Sequence, residues 1–215
     1  TLATAEFQTN GRGADTNSWE SAYGNNLLFS LLTYPQAVPA SRVFVLSEVL
    51  ALSVHHALNE FASGFSIKWP NDIYHADRKV AGLLIENDIA GKNIQRSVMG
   101  VGININQSEF LSDAPNPVSL KQILGEEVER RFVLESVMEH FTRYYQMVEQ
   151  GEYDSIHKEY LEHLYRWQEP HLFEDEQGIF KAAIKDVEAD GHLILTDENG
   201  MDRRYAFKEV KFIIK

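Results

Sequence analysis

The chain contains no cysteine. That excludes disulfides, zinc–thiolate centres and thiol nucleophiles together, and it fits a reducing, cytoplasmic setting. Positive charge is also scarce: 20 Lys and Arg stand against 32 Asp and Glu, a net charge of −12 over 215 residues. A field of that sign repels nucleic acid and anionic membrane, so neither is expected as a partner. Any polyanion must be small and held by a local cluster of cations. Long hydrophobic runs are missing as well. "NNLLFSLL" falls far below the roughly 18 residues of a membrane span, and no signal peptide is visible. The chain opens "TLATAEFQ", without Met and already strand-like, which leads us to expect residues upstream. What remains is ordinary: 44% hydrophobic and 24% charged residues describe a globular protein and exclude global disorder.

Periodicity organises this material into an α+β region and an all-β region. Strands are expected at Leu2–Gln8, Leu27–Leu32, Ser66–Trp69, Val80–Glu86 and Val98–Asn104. Between the first two lies "TNGRGADTNSWESAYGNN", a long polar loop of the kind that usually carries function. Positions 46, 49, 50, 53, 54, 57, 58 and 61, apolar except for Ser53, follow helical spacing, with Gly64 beyond the end. "SLKQILG" predicts a short helix stopped at Gly125. A longer helix follows through Leu134, Val137, Met138, Phe141, Tyr145 and Val148 to Gly151, and a further one spans Ser155–Tyr165. After Trp167 the pattern changes to short alternating runs separated by "EDEQG", "EADG" and "DENG". Four or five antiparallel strands are expected there, most simply a small barrel. The boundary is placed between 166 and 167.

Three stretches carry the chemistry. "KWPNDIYHADRKVAGLLIE" concentrates Lys68, Arg78 and Lys79 around a turn, in a chain that is otherwise acidic. If Lys68 ends one strand and Lys79 precedes the next, both amines can converge on one anion. Asn71 and Asp72 at the mouth offer oxygens suited to Mg²⁺. The alternative is a surface hairpin with snorkelling lysines. "GRG" at 11–13 presents N–H groups unobstructed by a Cβ and a guanidinium between them. It is neither a Walker A loop nor a dinucleotide fingerprint, and taken alone it reads equally as a solvated loop. Trp19 is either a staple for that loop or a stacking face for a flat ring. In "VMGVGININ", Gly100 and Gly102 let something flat approach the backbone, or else pack closely on a helix. Asn104 and Asn106 add amides at the strand's end. The eight histidines show no HExxH motif or other metal signature and read as surface or half-buried residues. No G-x-S-x-G elbow marks a serine nucleophile, and the acidic runs "GEEVER" and "EDEQG" read as solvated faces.

In this order and at these separations, "AEFQTNGRG…W", "KWPNDIY…DRKVAGLLIE" and "GVGININ" closely resemble the biotin protein ligases, from about Ala5 to Asn106 and more loosely beyond. The wording "KWPND" and "RKVAG" favours biotin over the lipoate ligases, which share the fold and a central lysine. The resemblance implies a mixed-sheet catalytic domain of the biotin/lipoate ligase (class II aminoacyl-tRNA synthetase-like) type over 1–166, and a small SH3-like barrel over 167–215. It implies activation of biotin by ATP with Mg²⁺ to biotinyl-5′-AMP. Transfer to a lysine of a carboxylase's biotin carboxyl carrier domain would follow. A homodimer is compatible with it.

Position by position, Lys79 corresponds to the lysine bridging biotin carboxylate and α-phosphate, and Arg12 to the loop arginine contacting the intermediate. Gly11 and Gly13 would give Arg12 room, and Gln8 would face the biotin ring. The backbone around Gly82 and Leu83 would pair with the ureido group, with Gly100 and Gly102 as pocket wall. Trp19 would pack near adenine. Asn71 and Asp72 fall at metal and nucleotide positions, and Asp72 would orient the incoming amine. Lys68 and Asn104 would support phosphates and ribose. Two departures stand out. Ala14, Asp15 and Thr16 replace the family's further Arg/Gln and Gly after "GRG", which points to weaker retention of the acyl-adenylate. The family's upstream Asp-Ser-Thr-Asn segment is not in this sequence, nor is the winged helix-turn-helix of repressor members, so a ligase without repressor function is expected. The competing readings are a catalytically weak biotin or adenylate binding module, and a lipoate or other acyl ligase on the same scaffold.

Overall fold

A computed structural model describes residues 1–13, 18–111 and 116–214. Its larger part is a six-stranded sheet in the order β1-β4-β8-β7-β6-β5. The strands are β1 (Leu2–Ala5), β4 (Leu27–Thr33), β5 (Phe65–Lys68), β6 (Asp72–His75), β7 (Arg78–Ala90) and β8 (Asn93–Ile103). Every ladder is antiparallel; parallel pairing is confined to isolated bridges such as Ile67–Leu164 and Lys79–Pro117. Two further strands, β2 (Gly11–Arg12) and β3 (Ser18–Trp19), pair with each other inside the long polar loop.

The helices α1 (Val45–Asn59), α2 (Leu120–Leu124), α3 (Arg130–Glu149) and α4 (Tyr153–Glu162) complete this part. The first, third and fourth pack with the sheet around one apolar core. Alternation along each strand explains the arrangement, because successive side chains point to opposite faces. Leu27, Phe29 and Leu31 of β4, with Met99, Val101 and Ile103 of β8, are all buried in that core. α1 is buried nearly all round, as a helix must be when a sheet and two other helices enclose it. By length and composition Ala40–Asn59 would suffice to cross a membrane, but it is 72% buried within the protein. α2 begins with a capping box, in which Ser119 accepts from the Gln122 N–H while the Gln122 side chain accepts from the Ser119 N–H. It ends at Gly125, whose φ of 83° is the left-handed cap expected there.

The C-terminal part is a five-stranded antiparallel sheet ordered β12-β11-β10-β9-β13. Its strands are β9 (His171–Asp175), β10 (Gly178–Val187), β11 (Leu193–Asp197), β12 (Asp202–Tyr205) and β13 (Lys211–Phe212). Among the described residues its outer strands β12 and β13 do not pair, so the expected closure into a barrel is not seen. The sheet is nonetheless joined firmly to the larger part. Trp69 Nε1 donates to the Gly191 carbonyl at 2.9 Å, and the Phe44 N–H donates to the Ala189 carbonyl at 3.2 Å. His157 of α4 sits between the buried Glu48 of α1 (2.7 Å) and Asp186 of β10 (3.0 Å). Those carboxylates push the His157 pKa up to about 9, whereas burial pushes Glu48 up as well. The two shifts run against each other. A protonated His157 between two carboxylates satisfies both, and the buried Glu48 carboxylate remains costly even so.

Candidate active site

On the face of the large sheet away from the helices lies a cleft of about 1470 Å³. Strand register builds its floor. Leu28 of β4 lies opposite Gly102 of β8, Gly102 opposite Gly82 of β7, Gly82 opposite Asp72 of β6, and Asp72 opposite Lys68 of β5. One row across five strands therefore runs from an apolar residue through two glycines to a carboxylate and an ammonium. The glycines leave a flat depression beside the charges. A Cβ on Gly102 would fall 2.4 Å from the Trp19 indole, and one on Gly82 would fall 3.1 Å from the same ring. The indole thus lies flat on the glycine floor. Its Nε1–H is buried with no hydrogen-bond partner, an exposed-elsewhere cost that a ligand acceptor could relieve.

Lys79 reaches this floor because the β6–β7 register shifts between Ile73 and Tyr74, and a bulge re-aims the side chain that follows it. Its Nζ pairs with Asp72 Oδ1 at 2.6 Å, lies 5.8 Å from the Trp19 ring centre, and would be 3.3 Å from a Cβ on Gly82. Its backbone is fixed from outside the sheet: the Lys79 N–H donates to the Asn116 carbonyl and its carbonyl accepts from Val118, each at 2.9 Å. Lys68 is held differently. Its ammonium lies over the rings of Phe212 at 4.7 Å and Tyr74 at 5.3 Å. Burial pushes its pKa down, Asp72 opposes that, and the Lys79 and Arg166 charges add to it. An ammonium seated on aromatic faces keeps N–H donors to offer an incoming anion.

Of the residues expected from sequence, Gln8, Arg12, Gly13, Trp19, Lys68, Asn71, Asp72, Lys79, Gly82, Leu83, Gly100, Gly102 and Asn104 all line this one cleft. Gly11 does not. Its role is local, since a Cβ there would come within 2.4 Å of the Trp19 carbonyl across the β2–β3 pair. Five of these positions carry further detail. Trp19 lies against the glycine floor, over Gly82 and Gly102. Leu83 has both backbone groups engaged by Asn71, whose carbonyl accepts from the Leu83 N–H at 2.8 Å and whose Nδ2 donates to the Leu83 carbonyl. A ureido N–H at Leu83 would share the carbonyl with Asn71, through its second lone pair. Arg12 stands at the rim in an exposed pair with Glu86 at 3.2 Å. Gly100 has room for a Cβ, with its nearest neighbour at 3.7 Å. Asn104 is buried, donates to the Val118 carbonyl at 3.3 Å, and leaves its Oδ1 without a partner. The departures at Ala14, Asp15 and Thr16 lie outside the described residues.

Sequence reasoning missed the far wall of the cleft. Phe207, Lys208, Val210, Lys211, Phe212 and Ile214 of the C-terminal sheet close it. The signal was present as "FKEVKF", two lysines among aromatics in an acidic chain. Among the described lining residues five cations (Arg12, Lys68, Lys79, Lys208, Lys211) face three anions (Glu20, Asp72, Glu86), so the cleft reverses the sign of the whole molecule. Such a site has the shape and charge to hold a flat, uncharged ring on glycine backbone with a carboxylate or phosphate beside it.

Comparison with known proteins agrees. Residues 1–104, just under half of the chain, match the model of the Biotin/lipoate A/B protein ligase family. Among individual relatives, the biotin–[acetyl-CoA-carboxylase] ligase of Paracoccus denitrificans is 29% identical over 209 residues, covering 91% of this chain and 84% of that one. The bifunctional ligase/repressor BirA of Bacillus subtilis is 33% identical over 152 residues, 67% of this chain. The chain spans about half the length of such curated relatives, 46% in that case. The structure of the Aquifex aeolicus biotin protein ligase in complex with biotin and ATP superposes with a TM-score of 0.81 at 26% identity, over 99% of this chain and 89% of that one.

Proposed function

We propose that the chain is an ATP-dependent biotin protein ligase acting on a lysine of a biotin carboxyl carrier domain. The observation that carries this reading is the register row: a glycine floor for a flat ring lies directly beside Lys79, Asp72 and Lys68 in a cleft of net positive lining. The names of its relatives support it.

In the first step a biotin carboxylate oxygen attacks the α-phosphorus of ATP and pyrophosphate leaves. Two anions must meet, so the dominant contribution is charge placed in advance. Lys79 exchanges its Asp72 partner for the carboxylate and α-phosphate oxygens. Lys68, with Lys208 and Lys211 from the opposite wall, faces the phosphate charge that leaves. In the second step the carrier's ε-amine attacks the acyl carbonyl of biotinyl-5′-AMP and AMP departs. A lysine amine is ordinarily protonated, with a pKa of about 10.4. Asp72, released from Lys79, orients that amine and accepts its proton. The buried Asn104 Oδ1 offers an acceptor to a ligand N–H or hydroxyl.

Mg²⁺ is implied by this reading. The donors fit an ion shared with a triphosphate rather than a cage of protein ligands: Asp72 pairs with Lys79 through Oδ1 and Asn71 donates through Nδ2, leaving one carboxylate and one amide oxygen. Once bound, the ion would neutralise phosphate charge. We further infer that the modules divide at 166/167, and that the C-terminal sheet is the SH3-like unit of the family, here closing the cleft.

The test is biotin-dependent release of pyrophosphate from ATP, with and without a carrier domain. Release that requires biotin, with label ending on a carrier lysine, is the expected outcome. Biotin binding without release would reduce the chain to a binding module, and preference for lipoate in competition would reassign the substrate.

A further inference from the structure

Sequence spacing gave the histidines no metal signature, yet the fold gathers three of them. His55 and His56 occupy the last turns of α1, and His163 follows the end of α4. One ring nitrogen from each lies within 4.8 Å of the other two. The rings of His55 and His163 are 4.3 Å apart, and that of His56 is 5.1 Å and 5.2 Å from them.

The outer nitrogens are already committed. His55 Nε2 lies 3.1 Å from the Phe65 carbonyl, which can only accept, and 3.1 Å from Asn59 Nδ2. With the proton on Nε2, donated to that carbonyl, His55 Nδ1 is a lone-pair nitrogen. It is buried with no hydrogen-bond partner, in a residue only 4% exposed. His56 Nε2 faces Glu159 Oε1 at 3.1 Å, and Glu159 is itself held by the Tyr144 hydroxyl at 2.6 Å. A carbonyl or carboxylate on the far nitrogen is the arrangement that orients metal-bound imidazoles.

We propose that His55, His56 and His163 form a binding site for a borderline divalent transition cation of the zinc class, with a fourth position open to water. Imidazole suits Zn²⁺, Ni²⁺ and Cu²⁺ and does not suit Mg²⁺. Tetrahedral zinc, with Zn–N bonds of about 2.0–2.1 Å, sets its ligands roughly 3.4 Å apart. The nitrogens, within 4.8 Å of one another, would have to close to that spacing through rotation of the two half-exposed rings, His56 and His163. The role is structural. The cation would tie the ends of α1 and α4 together next to β5, which is bonded to the same segment through Ile67 N–H to the His163 carbonyl and Tyr165 N–H to the Ile67 carbonyl, both at 2.8 Å. β5 ends at Lys68 in the cleft.

The experiment is calorimetric titration of the chelator-stripped intact chain with ZnCl₂, paralleled by Co²⁺ absorption spectroscopy and thermal melting. We expect one equivalent bound, a tetrahedral Co²⁺ spectrum and a raised Tm. Loss of an outer partner already costs 10–100-fold in affinity, so His163→Ala and His56→Ala should each cost at least about 100-fold. Both should leave biotin-dependent pyrophosphate release intact, because neither residue lines the cleft. Failure of Zn²⁺ and Co²⁺ to bind at one equivalent would overturn the site. So would binding that survives both substitutions, which would place the ion elsewhere.

Discussion

The two faces of the six-stranded sheet are made from the same strands and obey opposite rules. Toward the helices, β8 presents Met99, Val101 and Ile103, all buried against α1 and its neighbours. Toward the cleft, the intervening residues are Gly100 and Gly102, followed by Asn104 with an unpartnered oxygen. One face is filled by the protein itself. The other is left flat and charged, with Trp19 resting on it. Stability should therefore be concentrated on the first face and chemistry on the second.

Substitutions can separate these. The largest effect is expected at Lys79. Lys79→Ala should lower biotin-dependent pyrophosphate release by about 10³-fold while the melting temperature barely moves, because the side chain contributes no core packing. A large loss of stability instead would mean that the Lys79–Asp72 pair holds the sheet together. Met99→Ala on the opposite face should do the reverse. It should cost about 2–5 kcal/mol of unfolding free energy in denaturant titration and leave turnover per folded molecule near wild type.

His157→Gln should come next, at about 2–3 kcal/mol, less than a fully buried pair because Glu48 can take up a proton. The sign of its pH dependence is fixed. A folded-state pKa near 9 against an ordinary 6.5 gives stability that is complete below pH 6.5 and is lost as pH rises through 9. Melting curves between those pH values should fall more steeply for wild type than for the variant.

Two glycine substitutions provide the finest discrimination. Gly102→Ala drives a Cβ to 2.4 Å from the Trp19 ring and should raise the KM for biotin about 10-fold, a cost of about 1.4 kcal/mol. Gly100→Ala, with space around it, should change stability by no more than about 0.5 kcal/mol. Equal effects at the two positions would show that the floor is not shaped by contact with the indole.

The helix-facing half of this arrangement was legible in the sequence because burial writes a period. The periodic positions from Leu46 to Phe61 marked α1, observed over Val45–Asn59, and the runs around Leu27, Val80 and Val98 led to β4, β7 and β8. The cleft left no period. Lys68, Lys79 and the glycines were found from motifs, and only the register row explains why they belong together. β6 was missed because four residues after a turn carry too little pattern. The lengths of β7 and β8 were underestimated because their distal halves are polar and exposed. The wall from Phe207 to Ile214 and the histidine trio were invisible for a different reason: each joins residues distant in sequence, through contacts that no local spacing encodes.

The position of Trp19 has a consequence for measurement. The chain has three tryptophans. Trp69 lines the cleft but is buried and bonded to Gly191, and Trp167 packs against the core. Trp19 is the one that rests directly on the glycine floor. Any occupant of the glycine floor changes the polarity and quenching around that one indole, and the adjacent Lys79 ammonium changes partners at the same moment. The protein thus carries its own optical reporter, with which arrival of a ring could be timed by stopped flow before any bond is made or broken.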